Sequence, residues 1–241
     1  MIEVKTEQIS WSRSTMEAVC RSRFRETSFS LYPAAKRCLD VTCAAVLLAC
    51  LWPLMALIAL AIWLDSPGPV VFRQTRVGKW GKKFTMLKFR SMFAEADDKV
   101  HAAFAKDYIN GHARGACSDD AGQVVFKPNG DKRTTRVGKW LRRTSLDELP
   151  QLLNVLRGEM SLVGPRPAMP CEVSEYSKWH LQRLAVLPGL TGLAQISGRS
   201  GLTFEKIVRL DVQYIRHRSM SLDLAILIKT VPVVLRARCA A

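Results

Sequence analysis

Two adjacent carboxylates, Asp147 and Glu148, stand at the start of a predicted helix, just after the paired cations Arg142 and Arg143. Further along, Arg166 is held between Pro165 and Pro167, which restricts the backbone on both sides of it. Arginine forks grip phosphate oxygens in bidentate fashion, and a carboxylate can hold a hard divalent cation. The set therefore suits a metal-bound phosphate ester. It also has a plain structural reading. Ser145-x-x-Glu148 matches a capping box, acidic residues are common in first helical turns, and Pro150 is at home in one. The remainder of the chain has to decide between the two.

The helix that would carry the dyad is visible in the apolar spacing of Leu149, Leu152, Leu153 and Leu156, and Gly158 is its expected stop. The chain is 241 residues long, enough for one catalytic domain with appendages. Its formal charge of +15 calls for an anionic partner: nucleic acid, acidic lipid or a phosphorylated substrate. The seven cysteines form no CxxC pair and no even framework, so they read as small buried hydrophobes in a reducing compartment. The four histidines lack ligand spacing, which argues against zinc.

Val41 to Leu64 is an unbroken apolar run between Asp40 and Asp65, longer than the ~20 residues a helix needs to cross a bilayer. It starts too far from the N-terminus, and is too long, for a signal-peptide core. The chain is therefore expected at a membrane. Basic residues flank the run on both sides, Lys36 and Arg37 before it, then Arg73, Arg76, Lys79, Lys82 and Lys83 after it. One straight span cannot place both flanks in the cytoplasm, as the positive-inside rule wants. Pro53, midway, divides the run into legs of about a dozen residues, roughly 18 Å each and too short to span. A helix that dips in, bends at Pro53 and returns reconciles length, charge and proline. A kinked but ordinary span is the alternative, because proline is tolerated in spanning helices.

Around this segment the pattern is simpler. Residues 1–30 have few periodic apolar positions and read as a flexible arm. Ser66-Pro67-Gly68-Pro69 is a turn into V-V-F-R-Q-T-R-V, and K-K-F-T-M-L-K-F-R returns after Gly78 to Gly81, giving a hairpin basic on one side with Arg73, Arg76, Lys88 and Arg90. Residues 94–109 read as a polar helix, 110–131 as a loop, 172–187 as helical, and 204–216 as an amphipathic helix. The apolar segment 222–235 is too short and broken to cross; it suits a core or the membrane interface.

Taken together, these landmarks resemble the bacterial sugar transferases, monotopic polyprenyl-phosphate hexose-1-phosphate transferases that initiate surface-polysaccharide assembly. The resemblance covers about residues 33–238. It is carried by Lys36-Arg37-x-x-Asp40, D-S-P-G-P-V-V-F-R-Q at 65–74, R-V-G at 76–78, K-F-R-S-M at 88–92, the long block 145–167, and P-G-L-T-G at 188–192. P-G-L-T-G-L-A-Q-I-S-G-R and L-D-V-Q-Y look most like exopolysaccharide-initiating members that transfer galactose- or glucose-phosphate.

The resemblance implies that Asp147 is the nucleophile on the sugar-bearing phosphorus of a UDP-hexose. UMP leaves, and the phosphosugar passes to undecaprenyl phosphate in a ping-pong second step. It implies that Glu148 coordinates Mg²⁺, that Lys88, Arg90, Arg142 and Arg166 meet phosphate or nucleotide, and that Arg199 and Asp223 also lie in the substrate site. Lys36, Arg37, Asp40 and Pro53 would anchor the re-entrant helix. The expected fold is α+β and mostly α, with a re-entrant membrane helix, a basic β-hairpin and amphipathic helices at the membrane interface. Its expected divisions are a flexible arm (1–30), the membrane helix (31–65) and a cytoplasmic catalytic domain (66–241). The expected partners are UDP-hexose, undecaprenyl phosphate and anionic lipid, with no nucleic acid and a homodimer left open. The expected location is the bacterial inner membrane, with the catalytic domain facing the cytoplasm.

Two departures from the family pattern stand out. Trp52-Pro53 replaces its Ser-Pro, and Asp131-Lys132-Arg133-Thr134-Thr135 replaces its Asp-Pro-Arg-Val-Thr. Two other readings compete: a basic membrane-anchored binder of lipid or nucleic acid, and a metal-dependent phosphohydrolase.

Overall fold

The computed structural model describes residues 11–23, 31–93, 106–109, 117–118, 124–125, 134–198 and 201–235. Most of this is helix: α1 (Arg13–Arg23), α2 (Tyr32–Asp65), α3 (Arg136–Thr144), α4 (Gln151–Leu156), α5 (Pro170–Val173), α6 (Leu193–Ile196), α7 (Phe204–His217) and α8 (Met220–Leu235). Strands β1 (Val71–Val77) and β2 (Lys83–Phe89) form the expected antiparallel hairpin, with Thr75 opposite Thr85. Two-residue strands β3 (Cys117–Ser118) and β4 (Val124–Val125) pair with each other, and β5 (Ser161–Val163) pairs in parallel with β6 (Gly189–Thr191).

The parallel pair brings Val163-Gly164-Pro165 against Pro188-Gly189-Leu190 so closely that a Cβ on Gly189 would stand 2.1 Å from Gly164 N. Only glycine admits that approach. The crossing fixes where the Pro-Arg-Pro segment leaves the sheet. Val77 N–H donates to Ala168 O at 2.9 Å, tying the same segment to β1.

The long apolar run forms one helix, α2, through Pro53, and it is long and apolar enough to cross a membrane. Both of its ends are fastened to the rest of the fold. Near the start, Asp40, 2 % exposed, accepts the Leu162 N–H at 3.0 Å, and Ala44 is buried. Near the end, Ile58 and Ile62 pack with Phe89 and Leu141, and Asp65 accepts the Val137 N–H at 3.2 Å. Between and outside these contacts Val46, Trp52, Leu57 and Trp63 are exposed. Leu224, Ile228 and Val231 of α8 are exposed too.

The arm expected at 1–30 is not wholly without structure. Residues 13–23 form α1, and Met16 and Cys20 are buried in the main core. Trp11 Nε1 donates to Tyr176 O at 2.8 Å. The apolar residues Met16, Val19 and Cys20 recur at helical spacing, a short amphipathic signal among many polar neighbours. The helix expected over 172–187 is instead the single turn of α5 followed by a 3₁₀ stretch, His180–Ala185. The α7 expectation matches the observed helix. The polar helix and loop expected across 94–131 lie mostly outside the described residues.

Candidate active site

A sharp joint between α3 and α4 presents the dyad. Thr135 caps α3 by accepting the Gly138 N–H at 2.9 Å, and the helix ends at Ser145, whose φ of 58° is left-handed. For a residue other than glycine that conformation costs energy and persists only where the surroundings impose it. A single 3₁₀ turn, Leu146–Glu148, follows, and α4 begins at Gln151. The expected capping box is therefore absent: Ser145 ends α3 and its carbonyl accepts the Glu148 N–H of the next turn, but its side chain makes no cap bond. Gly158, at φ +77°, is the expected stop after α4.

The turn leaves Asp147 buried at 8 % exposure while Glu148 stays partly open. Lys88, from β2, places Nζ 2.9 Å from Glu148 Oε1 and 3.9 Å from Asp147 Oδ2. Arg166 lies 3.9 Å from the same Glu148 oxygen, with its side chain about half exposed. Burial pushes the Asp147 carboxyl above its usual range, Lys88 pulls it back, Glu148 pushes it up, and Arg142 and Arg166 pull it down. The result is a buried carboxyl among cations, beside a small recess. Lys88, Glu148, Arg166, Arg76, Gln151 and Gln195 all contribute to its wall.

Several contacts hold these groups in register. Asn154, fully buried, accepts the Leu87 N–H at 3.0 Å and donates to Thr85 O at 2.8 Å and Glu159 Oε2 at 2.7 Å. It clamps β2 beside Lys88 to the helix that follows the dyad. Arg76, 9 % exposed, donates to Pro167 O at 3.1 Å and to Gln74 Oε1 at 2.6 Å. Burial and the neighbouring Arg166 lower its pKa to about 10. Arg183, paired with Asp211 at 2.8 Å, reaches Arg166 O at 3.4 Å. The Pro-Arg-Pro backbone is thus held from two sides.

The structure gathers Asp147, Glu148, Lys88, Arg142 and Arg166 into this site. It does not bring Arg90 or Asp223 there. Arg90 is buried and donates to Pro67 O at 2.9 Å and to Ser66 Oγ at 2.9 Å, so it secures the end of α2. Asp223, with no exposed surface, accepts from Tyr214 Oη at 2.7 Å, Lys36 Nζ at 2.8 Å and Tyr32 Oη at 2.9 Å. That network ties the start of α2 to α7 and α8. Arg37 donates to Val155 O and to Leu156 O, at 2.6 and 2.9 Å, neutralising the C-terminal end of α4. Of the residues expected to anchor the membrane helix, Lys36, Arg37 and Asp40 therefore fasten it to the site-bearing domain, while Pro53 lies within the helix. Arg199 lies outside the described residues.

Asn154, Gln151 and Gln195 were not among the expected site residues, and Arg76 was marked only as part of the hairpin's basic side. A lone asparagine in the apolar run Leu152–Leu156 was the readable signal for the first. Nothing in local spacing marks the two glutamines.

The profile of the family described as bacterial sugar transferase matches residues 31–237. The chain belongs to that family. It is 44 % identical over 208 residues to a UDP-glucose:undecaprenyl-phosphate glucose-1-phosphate transferase of Caulobacter vibrioides, covering 83 % of this chain and 69 % of that protein. It is 41 % identical over 204 residues to the exopolysaccharide production protein ExoY of Rhizobium meliloti, covering 85 % and 87 %. It is also 41 % identical over 201 residues to an undecaprenyl-phosphate galactose phosphotransferase of Salmonella typhimurium, covering 83 % of this chain but 40 % of that protein. Several of the curated relatives are thus more than twice the length that this chain matches. For this sugar transferase the matched region contains every member of the cluster around Asp147.

Proposed function

We propose that the protein transfers hexose-1-phosphate from a UDP-hexose to undecaprenyl phosphate, releasing UMP, as the first membrane step of exopolysaccharide synthesis. The observation that carries this reading is the buried Asp147 carboxylate, set beside Glu148 and within the field of Lys88, Arg142 and Arg166. Relatives across most of the chain bear the names of such transferases.

In the first half-reaction an Asp147 oxygen attacks the sugar-bearing phosphorus, and the bond from that phosphorus to the UMP oxygen breaks. In the second, an oxygen of undecaprenyl phosphate attacks the same phosphorus and the aspartyl bond breaks, restoring the carboxylate. Burial strips water from Asp147 and favours attack, while Lys88 opposes the rise that burial imposes on its pKa. Lys88 and Arg166 receive the charge on the diphosphate.

Among the described residues no group of three or more His, Cys, Asp or Glu side chains could cage a metal. Glu148 beside Asp147 nonetheless fits Mg²⁺, which binds one or two carboxylates and completes its shell with water and substrate phosphates. The ion would neutralise the diphosphate. Glu148 would hold it.

The acceptor must arrive from lipid. That α2 is tied to one folded unit near Asp40 and again near Ile62 supports a re-entrant segment that enters and leaves on the same side. The exposed apolar faces of α2 and α8 would lie in the bilayer, with the catalytic domain on its cytoplasmic face. An open groove lined by Met55, Val71, Leu87, Phe89, Pro150 and Leu153 runs between α2, the hairpin and the segment after the dyad, with Arg73 and Arg157 also lining it. An isoprenoid chain would fit its wall and a phosphate its cations.

The test is radiolabel transfer from a panel of UDP-sugars to undecaprenyl phosphate with Mg²⁺. If Asp147→Asn still forms the polyprenyl-diphosphate sugar, the reading fails. UMP release that continues past one turnover without acceptor would instead indicate a hydrolase.

A further inference from the structure

The recess beside the dyad holds two side-chain amides with unspent polar atoms. Gln151 is 3 % exposed, and among the described residues its Nε2 has no hydrogen-bond partner. Gln195 donates from Nε2 to Leu190 O at 3.2 Å, which turns its Oε1 the other way, and that oxygen is buried and equally unpartnered. Both residues line the same recess as Glu148 and Arg166. Buried amide atoms are nearly always satisfied, because leaving one dry and unpaired is costly. Two such atoms on residues that line one recess, one a donor and one an acceptor, point to a ligand that supplies both complements.

The chemistry of that ligand can be narrowed. Phosphate oxygens only accept, so the Gln195 oxygen would face them acceptor to acceptor; Lys88, Arg76 and Arg166 already serve charge there. A hydroxyl both donates and accepts. Resting on the donor-site reading above, the position of the amides then selects which part of the donor is meant. Gln151 follows Asp147 by one helical turn, four residues on. The phosphorus that Asp147 would attack bears the hexose directly, whereas uracil is removed from it by a second phosphate and a ribose. The group within reach of Gln151 is therefore the hexose.

We propose that Gln151 and Gln195 read the hydroxyl pattern of the transferred hexose and so help set which sugar the enzyme accepts. A site built to bond a hydroxyl rejects an analogue lacking it strongly, because its own polar groups are then left bare.

The experiment compares the full chain with Gln151→Met and Gln195→Met, assayed by UMP release with undecaprenyl phosphate. The donors are UDP-glucose, UDP-galactose and UDP-glucose analogues deoxygenated singly at C2, C3, C4 and C6. For the parent, one deoxy analogue loses roughly 100-fold or more in kcat/KM. In each variant that penalty shrinks at least tenfold, while the KM for undecaprenyl phosphate stays unchanged. A merely structural role would lower all donors together and keep the ratios. Unaltered deoxy penalties in variants that turn over overturn the assignment and leave the transferase reading intact. A parent that releases no UMP from any UDP-hexose overturns both. Should Gln151→Met fail to fold, Gln195→Met, at a less buried position, carries the same test.

Discussion

Lys88 holds Glu148 at 2.9 Å while its charge also reaches Asp147 at 3.9 Å. One ammonium thereby serves two carboxylates with different tasks. For Asp147 it opposes the effect of burial, which raises the pKa of the acid. In the proposed mechanism the nucleophile works as the carboxylate, so activity should fall on the acid side, through an apparent pKa above the ordinary aspartate range. Replacing Lys88 with Met removes the largest downward influence, and the acid limb should move to higher pH. The kcat/KM at the optimum should also drop by about 10²–10³ for the loss of a phosphate-facing cation. A pH profile of UMP formation for both proteins checks this. An unmoved acid limb would mean that Lys88 does not set the state of Asp147.

Asp147 should also carry a stability penalty. A folded-state pKa above the unfolded one means the carboxyl contributes stability that is full below its unfolded pKa and is lost as pH rises through its folded pKa. Above that pKa the ionised, buried group is a cost, and Asp147→Asn removes it. The variant should be inactive in UMP/UDP-hexose exchange yet unfold at a higher temperature than the parent at neutral pH. The gain should vanish in acid, where the parent is protonated. Thermal melts of both proteins at neutral and acid pH give the answer. A lower midpoint for Asp147→Asn at neutral pH would show the carboxylate to be stabilising.

Asp223 looked from sequence like a substrate residue, and the structure gives it a different surrounding. It accepts from Lys36, Tyr32 and Tyr214, with no surface of its own. Truncating it to Ala leaves the Lys36 ammonium without its buried carboxylate, a loss of about 3–5 kcal/mol for a broken buried pair. The expected result is a large fall in melting temperature with the KM for UDP-hexose unchanged in the fraction that stays folded. A raised KM with an unchanged melt would put Asp223 back in the substrate site.

That contrast shows what spacing can reveal and what it cannot. The hairpin was legible because two short strand-like runs flank a glycine-bounded turn; Gly158 was legible because helices stop at such residues. The dyad was legible because adjacent carboxylates next to arginines are chemically conspicuous. The charges near α2 were harder, since Arg37, Asp40, Arg90 and Asp223 carry the same side chains that would face lipid or phosphate. Their partners are Leu156 O, Leu162 N, Ser66 Oγ and Lys36, and most of these are distant in sequence. A long-range pair leaves no periodic mark. Ser145 misled for a related reason: its capping pattern with Glu148 is real in sequence, but the preceding helix runs up to it and takes it as a terminus.

The groove beside the dyad yields the last expectation, because a ping-pong reaction can be cut in half. Leu153 is partly exposed on α4 and lines that groove with Met55 and Phe89, away from the recess where Gln151 and Gln195 sit. A charge there would repel an isoprenoid chain without touching the donor. Leu153→Glu should therefore retain UMP/UDP-hexose exchange, which needs only the first half-reaction, and raise the KM for undecaprenyl phosphate at least tenfold. A short, water-soluble prenyl phosphate should be used equally by parent and variant, since it lacks the tail the groove would hold. Equal losses on both acceptors would mean that the substitution disturbs the phosphate position instead. Loss of exchange itself would mean that it reaches the dyad through Pro150, and the groove would then have no separate claim on the lipid.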